Sequence, residues 1–231
     1  MPQVHLFCRT LALAVALSTA ASAQATTRPL PTRYQADIDK FIRADSASMP
    51  PANGIEFVGS SIIRLWSTLG EQMAPLPAYN RGFGGSRTPD VLYYMDRIVL
   101  PYRPRFVVYY CGSNDVSAGE NADAIVGRVQ EFHQRLLREL PATRMFFVSV
   151  LHAPEKRRKW AVVDSVNAQM RRYAAAATNI EYIDINPPLL DLKGEVQGAL
   201  YLPDSLHYRP EAYVRFTEVI KPVLMRAWSA R

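Results

Sequence analysis

Two nearly continuous apolar runs constrain the fold of this chain more than any other feature of its sequence. They cover residues 106–111 and 145–151. Strands that are apolar at almost every position are typical of a parallel sheet covered by helices on both faces. Shorter apolar runs that also fit strands lie at 55–58, 78–80 and 180–185. Helical patterns alternate with these runs, so the sequence predicts a three-layer α/β/α sandwich around a five-stranded parallel sheet.

The helices are predicted from apolar residues that recur every three or four positions. This spacing is clearest over residues 125–140 and 162–173. Thr88 and Pro89 are typical of a helix start, with the threonine as N-cap and the proline at the first helical position. Pro210 similarly opens a last helix that runs towards the end of the chain.

The first 23 residues have the pattern of a secretory signal peptide. Arg9 precedes an apolar stretch over residues 11–17, and the small residues Ala21-Ser22-Ala23 that follow predict cleavage after Ala23. We therefore expect an exported protein, periplasmic or secreted, with no stable membrane insertion after cleavage. An uncleaved N-terminal anchor is the alternative.

Beyond this leader, the composition indicates an ordinary globular protein. Residues 24–51 are predicted to form a linker and an N-terminal helix over 34–44, and residues 52–231 to form the main domain. Hydrophobic residues make up 48% of the chain, which is enough for a sizeable core and argues against disorder. Cleavage would leave Cys111 as the single cysteine, so no internal disulfide is expected, and its apolar neighbours predict a core position.

Charge and motif spacing argue against several classes of ligand. The formal net charge is +6, and the tightest basic cluster is residues 156–159 (Lys-Arg-Arg-Lys). Such a cluster can bind nucleic acid or anionic lipid, but we favour a solvated loop that leads into a helix, and we expect no nucleic-acid partner. The glycine-rich loop at 82–85 lacks the GxGxxG spacing of dinucleotide-binding proteins. No spacing of His, Cys, Asp or Glu is typical of a metal site, so no metal or other cofactor is predicted.

Polar or glycine-rich loops follow the first three predicted strands and precede the last helix. They are residues 59–62 (Gly-Ser-Ser-Ile), 80–85 (Asn-Arg-Gly-Phe-Gly-Gly), 112–115 (Gly-Ser-Asn-Asp) and 204–207 (Asp-Ser-Leu-His). Ligands of open parallel sheets bind at the carboxyl ends of the strands, so we expect these loops to converge at one edge. Together they supply what acyl transfer requires, namely a hydroxyl, an imidazole, a carboxylate and hydrogen-bond donors.

These four blocks, in this order, resemble those of the GDSL/SGNH hydrolase family, which is named for a Ser, a Gly, an Asn and a His in separate blocks. The resemblance covers nearly the whole main domain and implies the flavodoxin-like SGNH hydrolase fold. It implies that Ser61 is the nucleophile, that His207 is its base and that Asp204 holds the imidazole. It also implies an oxyanion hole formed by Gly85, Asn114 and the N–H of Ser61.

The first block departs from the family pattern, because Ser60 stands where the family has an aspartate. Either of two adjacent serines is then a candidate nucleophile. Ser61 aligns with the family nucleophile, since the glycine must lie two positions before it. The physical expectation agrees, because Ser61 would begin the helix after the strand, where the helix dipole favours negative charge.

The resemblance implies a serine esterase that hydrolyses small acyl esters without a cofactor. We expect acetyl or other short acyl groups, on substrates that include lysophospholipids or acetylated sugars, because no long apolar lid separates the blocks. Phe83, His152 and Tyr208 are candidates for the substrate pocket, whereas Asp115 is expected to brace its loop and His133 to be structural. Two alternatives are an acyltransferase on the same machinery and a non-catalytic ligand-binding module. The sequence carries no indication of oligomeric state.

Overall fold

The computed structural model describes residues 32–230, so the predicted signal peptide and the first part of the predicted linker lie outside the described residues. Five strands are present in this part of the chain: β1 (Ile55–Gly59), β2 (Ala78–Gly82), β3 (Phe106–Tyr110), β4 (Arg144–Val148) and β5 (Ile180–Ile183). Between and around them lie α1 (Gln35–Ala47), α2 (Ser61–Arg64), α3 (Leu69–Met73), α4 (Thr88–Ile98), α5 (Ser113–Ser117), α6 (Ala122–Glu139), α7 (Trp160–Ala176) and α8 (Pro210–Ser229). Short 3₁₀ segments occupy Thr32–Tyr34, Leu100–Tyr102, Pro154–Lys159, Pro187–Leu189 and Gly198–Leu200.

All five strands pair in parallel, in the order β2-β1-β3-β4-β5. The order reverses between β1 and β3, which makes the carboxyl ends of these two strands the switch point where open α/β sheets bind ligands. Gly59 is in register with Gly82 of β2 and with Tyr110 of β3. The loops that follow these three strands therefore start from the same level of the sheet.

Both faces of the sheet are covered. Alternate residues of β1 face opposite layers: Phe57 packs in the cluster that contains α8, and Val58 packs in the cluster that contains α4, α6 and α7. Every residue of β3 is buried, as its continuous apolar run predicts, and every residue of β1 is buried as well, including Glu56. The predicted α/β sandwich with a five-stranded parallel sheet is confirmed, and Cys111 lies in the core as expected.

The start of α4 differs from the prediction. Arg87, and not Thr88, is the N-cap, and Thr88 is the first helical residue. The reason is a buried carboxylate: the backbone N–H and the hydroxyl of Thr88 both donate to Asp115. These bonds occupy the side chain that would otherwise have capped the helix.

The basic cluster at residues 156–159 is more structured than the solvated loop we expected. It forms the 3₁₀ segment that ends at Lys159. Lys156 is only 3% exposed and pairs with Glu155, while Nζ of Lys159 donates to the carbonyl oxygens of Val116 and Ser117 at the end of α5. Two of the four cations are thus used in local packing.

Within residues 32–230, no helix is both long and apolar enough to cross a membrane.

Candidate active site

The turn after β1 presents Ser61 at the start of α2. Gly59 ends the strand with φ at +144°, and a Cβ at this position would lie 1.8 Å from the carbonyl oxygen of Tyr110. Only glycine permits this close approach of the two strands. The chain then turns sharply into the helix, and Ser61 becomes its first residue, 8% exposed.

An imidazole and a carboxylate lie in line with this hydroxyl. Oγ of Ser61 is 2.9 Å from Nε2 of His207, and Nδ1 of His207 is 2.6 Å from Oδ2 of Asp204. Since a carboxylate can only accept, Nδ1 carries the proton and Nε2 is free to accept from the serine hydroxyl. The hydrogen bond from His207, followed by those from two backbone N–H groups, lowers the pKa of Asp204 to about 2. Asp204 is therefore an anion at neutral pH.

The base loop, residues 201–208, holds Asp204 and His207 in this position. Oδ1 of Asp204 accepts the backbone N–H groups of Leu206 and His207, which closes a tight turn around Ser205 at φ +57°. At the ends of the loop, Tyr201 and Tyr208 pair as an antiparallel bridge, with ring centroids 4.6 Å apart. The loop is thus tied to the core at both ends and shaped by its own hydrogen bonds between them.

The neighbouring serine has a different environment. Ser60 is 1% exposed and forms the N-cap of α2 without a side-chain capping bond. Its backbone N–H donates to the carbonyl oxygen of Tyr110, which continues the pairing of β1 with β3. The structure therefore brings Ser61, and not Ser60, to the imidazole.

Three hydrogen-bond donors belong to residues that share one cleft, namely Ser61 itself, Gly85 and Asn114. As the first residue of α2, Ser61 has a backbone N–H that the helix leaves unpaired. Gly85 adopts φ +77°, and its N–H has no partner within residues 32–230. The side-chain amide of Asn114 donates one N–H to the carbonyl oxygen of Ser86, 2.9 Å away. Its second N–H is free to donate to a ligand. These are the three donors that the resemblance implies.

Asp115 braces the Asn114 loop, as expected. Its carboxylate is fully buried and accepts bonds from Thr88 and Arg128. Burial raises the pKa of Asp115, while the bonds from Thr88 and the charge of Arg128 act in the opposite direction. The result is a buried link between the Asn114 loop and the start of α4.

A contact that the sequence reasoning missed comes from the N-terminal part of the described chain. The hydroxyl of Tyr34, just before α1, donates to the carbonyl oxygen of Gly85 at 2.6 Å. Tyr34 is 3% exposed, and its ring packs edge-to-face on Phe83 with centroids 5.1 Å apart. Two ion pairs, Asp45 with Arg81 and Asp39 with Arg97, attach α1 to the rest of the fold. No motif marks Tyr34, because a tyrosine beside an amphipathic helix reads as ordinary packing.

A cleft of about 380 Å³ opens beside Ser61. It is lined by Asp37, Ser61, Arg64, Gly84, Gly85, Asn114, Leu206 and His207. The cleft thus brings together the Ser61 hydroxyl, the His207 imidazole and the residues Gly85 and Asn114.

The predicted pocket residues do not line this cleft. Phe83 is fully buried, because the residue after β2 points into the core between the rings of Tyr34 and Tyr94. Tyr208 is 4% exposed and packs on Phe216. In both cases the ring gains more from burial in the core than from a place in the cleft wall.

His152 lies at the same edge of the sheet but in a separate cleft. Its Nε2 is 2.7 Å from Oδ1 of Asp164, and its Nδ1 is 3.1 Å from Oδ1 of Asn186. It therefore contacts neither Ser61 nor His207.

His133 is buried and bonded to Tyr173, which fits the structural role expected of it. Residues 32–230 contain no group of three or more side chains that could hold a metal ion.

Hydrogen-bonded Ser, His and Asp side chains at the switch point of a parallel sheet form an arrangement that serine hydrolases of several folds share. A family model described as the GDSL-like Lipase/Acylhydrolase family matches residues 57–215. The chain belongs to this family.

Known relatives and solved structures agree with this assignment. The chain is 26% identical over 195 residues to the platelet-activating factor acetylhydrolase IB subunit alpha1 of Homo sapiens, with 79% of each chain covered. It is 24% identical over 178 residues to the alpha2 subunit of Rattus norvegicus, which covers 74% of this chain and 75% of that one. A GDSL-like lipase structure from Bacteroides thetaiotaomicron superposes with a TM-score of 0.71 at 22% identity, over 83% of this chain and 98% of that one, which shows a shared fold.

Proposed function

We propose that this protein is a carboxylic ester hydrolase that cleaves small acyl esters through an acyl-enzyme on Ser61. The observation that carries the proposal is the line of contacts from Oγ of Ser61 to Nε2 of His207 at 2.9 Å, and from Nδ1 of His207 to Asp204 at 2.6 Å. Membership of an acylhydrolase family supports the same reaction class.

In this reaction His207 removes the proton of the Ser61 hydroxyl as the oxygen attacks the ester carbonyl. The imidazolium that forms is stabilised by Asp204, which stays ionised because its pKa is about 2. His207 then gives the proton to the leaving alkoxide, and the acyl group remains on Ser61. Water, deprotonated by His207, attacks the acyl-enzyme, and collapse of the second tetrahedral intermediate releases the acid and returns the proton to Ser61.

The negative charge of each tetrahedral intermediate falls on the former carbonyl oxygen. In this proposal it accepts hydrogen bonds from the N–H groups of Ser61 and Gly85 and from the free amide N–H of Asn114. Fixed donors of this kind typically each contribute about 10² to 10³ in turnover, because they need no reorganisation when the charge forms. Asn114 is held for this role by Ser86 and, through its neighbour Asp115, by Thr88.

We propose that the protein prefers esters of short-chain acids, so that a short acyl group is transferred to Ser61. A cleft of about 380 Å³ has room for a small ester, and no extended apolar groove accompanies it among its lining residues. The relatives named for an acetylhydrolase activity point in the same direction. The substrate class then includes acetylated sugars and acetylated lipids.

A chain-length series of 4-nitrophenyl esters, from acetate to decanoate, tests the reaction and the acyl preference together. We expect the highest kcat/KM at two to four carbons and a loss of activity in Ser61→Ala. Ser60→Ala is the matched control, since it removes the adjacent hydroxyl, and we expect it to retain activity. A fluorophosphonate probe should label Ser61 in the wild-type protein.

Three outcomes of this experiment would contradict the proposal. Folded wild-type protein that neither turns over an ester nor reacts with the probe would indicate a ligand-binding module. A rate that climbs steadily towards decanoate would overturn the short-acyl preference. If added alcohol diverts most of the acyl group into a transfer product, the protein is an acyltransferase that uses the same acyl-enzyme.

We also propose that the protein is exported, on the basis of the leader pattern at residues 1–23. Mature protein recovered from outside the cytoplasm should begin at Gln24. Recovery of the full-length chain from the cytoplasm would refute this.

A further inference from the structure

Two arginines lie against the glycine loop beside the nucleophile. Arg64 is three residues after Ser61, so both side chains lie on the same side of α2, and both line the cleft. The guanidinium of Arg64 lies over Gly84, where a Cβ would be 2.6 Å from its Nε. On the other side of the loop, a Cβ at Gly85 would be 3.3 Å from a guanidinium nitrogen of Arg33.

Several arginines of the surrounding fold are already paired, whereas these two are not. Arg81, Arg97 and Arg128 each form an ion pair with an aspartate. Within residues 32–230, neither Arg33 nor Arg64 forms an ion pair or a hydrogen bond to a side chain, although both are exposed.

Arg64 is the one arginine or lysine among the described residues that line the cleft. Asp37 also lines the cleft, but it forms no ion pair with either arginine. Asp204 is also an anion, but it is not among the residues that line the cleft, because it bonds Nδ1 of His207 while Nε2 faces Ser61. The Arg64 guanidinium is therefore available to an anionic group of a ligand, and the Arg33 guanidinium, which packs over the Tyr34 ring, lies next to Gly85 of the same cleft.

Guanidinium groups recognise carboxylates and phosphates through paired N–H donors, and these charge-assisted bonds are stronger than neutral ones. Gly84 contributes by having no side chain, since any Cβ there would push the Arg64 head group away from the loop. Because Arg64 and Ser61 line the same cleft of about 380 Å³, one small ester can place an anionic group on Arg64 and its carbonyl at Ser61.

We propose that Arg64, assisted by Arg33, forms an anion subsite in the Ser61 cleft, and that the preferred substrates are esters that carry a carboxylate or a phosphate near the scissile bond. This inference rests on the proposed esterase function. It narrows the substrate class from small esters in general to small anionic esters. Arg64 acts here as a specificity-determining residue.

Matched pairs of esters test the subsite. Monoethyl succinate is compared with ethyl pentanoate for an anion on the acyl side, and 3-acetoxypropanoate with butyl acetate for a carboxylate on the alcohol side. The third comparison replaces this carboxylate by phosphate, with 2-acetoxyethyl phosphate against butyl acetate. The measured quantity is the ratio of kcat/KM between the charged and the neutral member, and the three arms separate the position and the kind of anion.

We expect the charged ester to be favoured at least tenfold in one of these arms. Arg64→Gln should lower that ratio ten- to a hundredfold, the range for loss of a hydrogen bond to a charged group. Arg64→Lys should keep part of the preference. Arg172→Gln is the matched control: it removes an equally exposed, unpaired arginine that lines a different cleft, and it should leave the ratio unchanged.

Failure of the subsite and failure of the esterase proposal give different results. If Ser61-dependent turnover is present but neutral esters are used as well as charged ones in all three arms, the subsite is refuted and the esterase stands. An equal loss of kcat/KM for the charged and the neutral ester in Arg64→Gln refutes the subsite as well. If no ester is turned over, titration calorimetry of the same charged and neutral esters with Ser61→Ala decides: tighter binding of the charged member that requires Arg64 supports the subsite, and equal binding refutes it.

Discussion

The two halves of the candidate active site are held in different ways. Ser61, Gly85 and Asn114 form the donor side, which is fixed by buried strands and by the buried carboxylate of Asp115. Asp204 and His207 lie in the base loop, where their side chains are 47% and 23% exposed and are ordered mainly by hydrogen bonds within the loop. One contact of 2.9 Å, between Ser61 and His207, joins the two halves.

This difference in support fits the role that we propose for each half. Groups that stabilise a developing charge help most when they cannot move, so core packing is the appropriate support for the donor side. A proton carrier needs the correct tautomer and direction, which a short hydrogen-bonded turn can supply at the surface. We therefore expect changes on the donor side to affect folding and catalysis together, and changes in the base loop to affect catalysis alone.

The largest effect is expected for Gly59→Ala on the donor side. The added Cβ would lie 1.8 Å from the carbonyl oxygen of Tyr110, so β1 and β3 must separate. We expect little or no folded protein at 37 °C, as measured by thermal denaturation and circular dichroism. Gly127→Ala is the control, because it lies in α6 with nothing within 4 Å and should stabilise the helix by about 1 kcal/mol. A Gly59→Ala variant as stable as wild type would show that the donor side is not fixed by strand contact.

The next largest effect is expected for Asp204→Asn in the base loop. Asparagine keeps the oxygen that closes the turn, but its amide would donate to Nδ1 of His207 and place the proton on Nε2, facing Ser61. We expect kcat to fall by about 10³ to 10⁴ with an unchanged melting temperature, as for the equivalent change in other triads. Asp191→Asn is the control, since Asp191 closes a similar exposed turn by accepting the N–H groups of Lys193 and Glu195.

This pair of variants distinguishes two roles of Asp204, which are to set the tautomer of His207 and to close the turn of the base loop. A large loss of melting temperature in Asp204→Asn would mean that the base loop also contributes to global stability. Near-normal turnover would mean that the carboxylate does not set the tautomer of His207.

The smallest effect is expected for Tyr34→Phe, which removes the hydroxyl bonded to Gly85 and keeps the ring on Phe83. Loss of one neutral hydrogen bond that positions a donor should lower kcat about three- to tenfold, with little change in KM. Tyr102→Phe is the control, because the Tyr102 hydroxyl bonds Asp45 of α1 away from Gly85. Equal losses of kcat in both variants would mean that Tyr34 acts only by holding α1 in place.

The sheet and the family were predictable because their signals are local and ordered. Continuous apolar runs specify strands buried on both faces, and both the parallel sheet and the family are confirmed. The blocks that contain Ser61, Asn114 and His207 could be placed together because each lies beside the carboxyl end of a strand or before the last helix. The structure brings these side chains to one cleft, while their chemical roles stay predictions.

The errors arise where a side chain's direction, and not its position along the chain, decides its role. Phe83 and Tyr208 lie beside site residues in sequence but point into the core. Threonine is a residue type typical of an N-cap, but the hydroxyl of Thr88 donates instead to the carboxylate of Asp115, which is distant in sequence. Tyr34 and Gly85 are 51 positions apart in the sequence, and a local sequence pattern cannot predict a hydrogen bond between residues so far apart.

The helix α1 precedes the segment shared with the family, which begins at residue 57, yet Asp37 faces the cleft and Tyr34 steadies its glycine loop. One part of the cleft lining, Asp37, therefore comes from a stretch of chain separate from the one that carries Ser61, His207 and Asp204. Grafting residues 32–47 from a homologue would reshape and recharge the entrance while the serine, histidine and aspartate keep their places. Substrate range could diverge between close relatives in this way without any change to the chemistry.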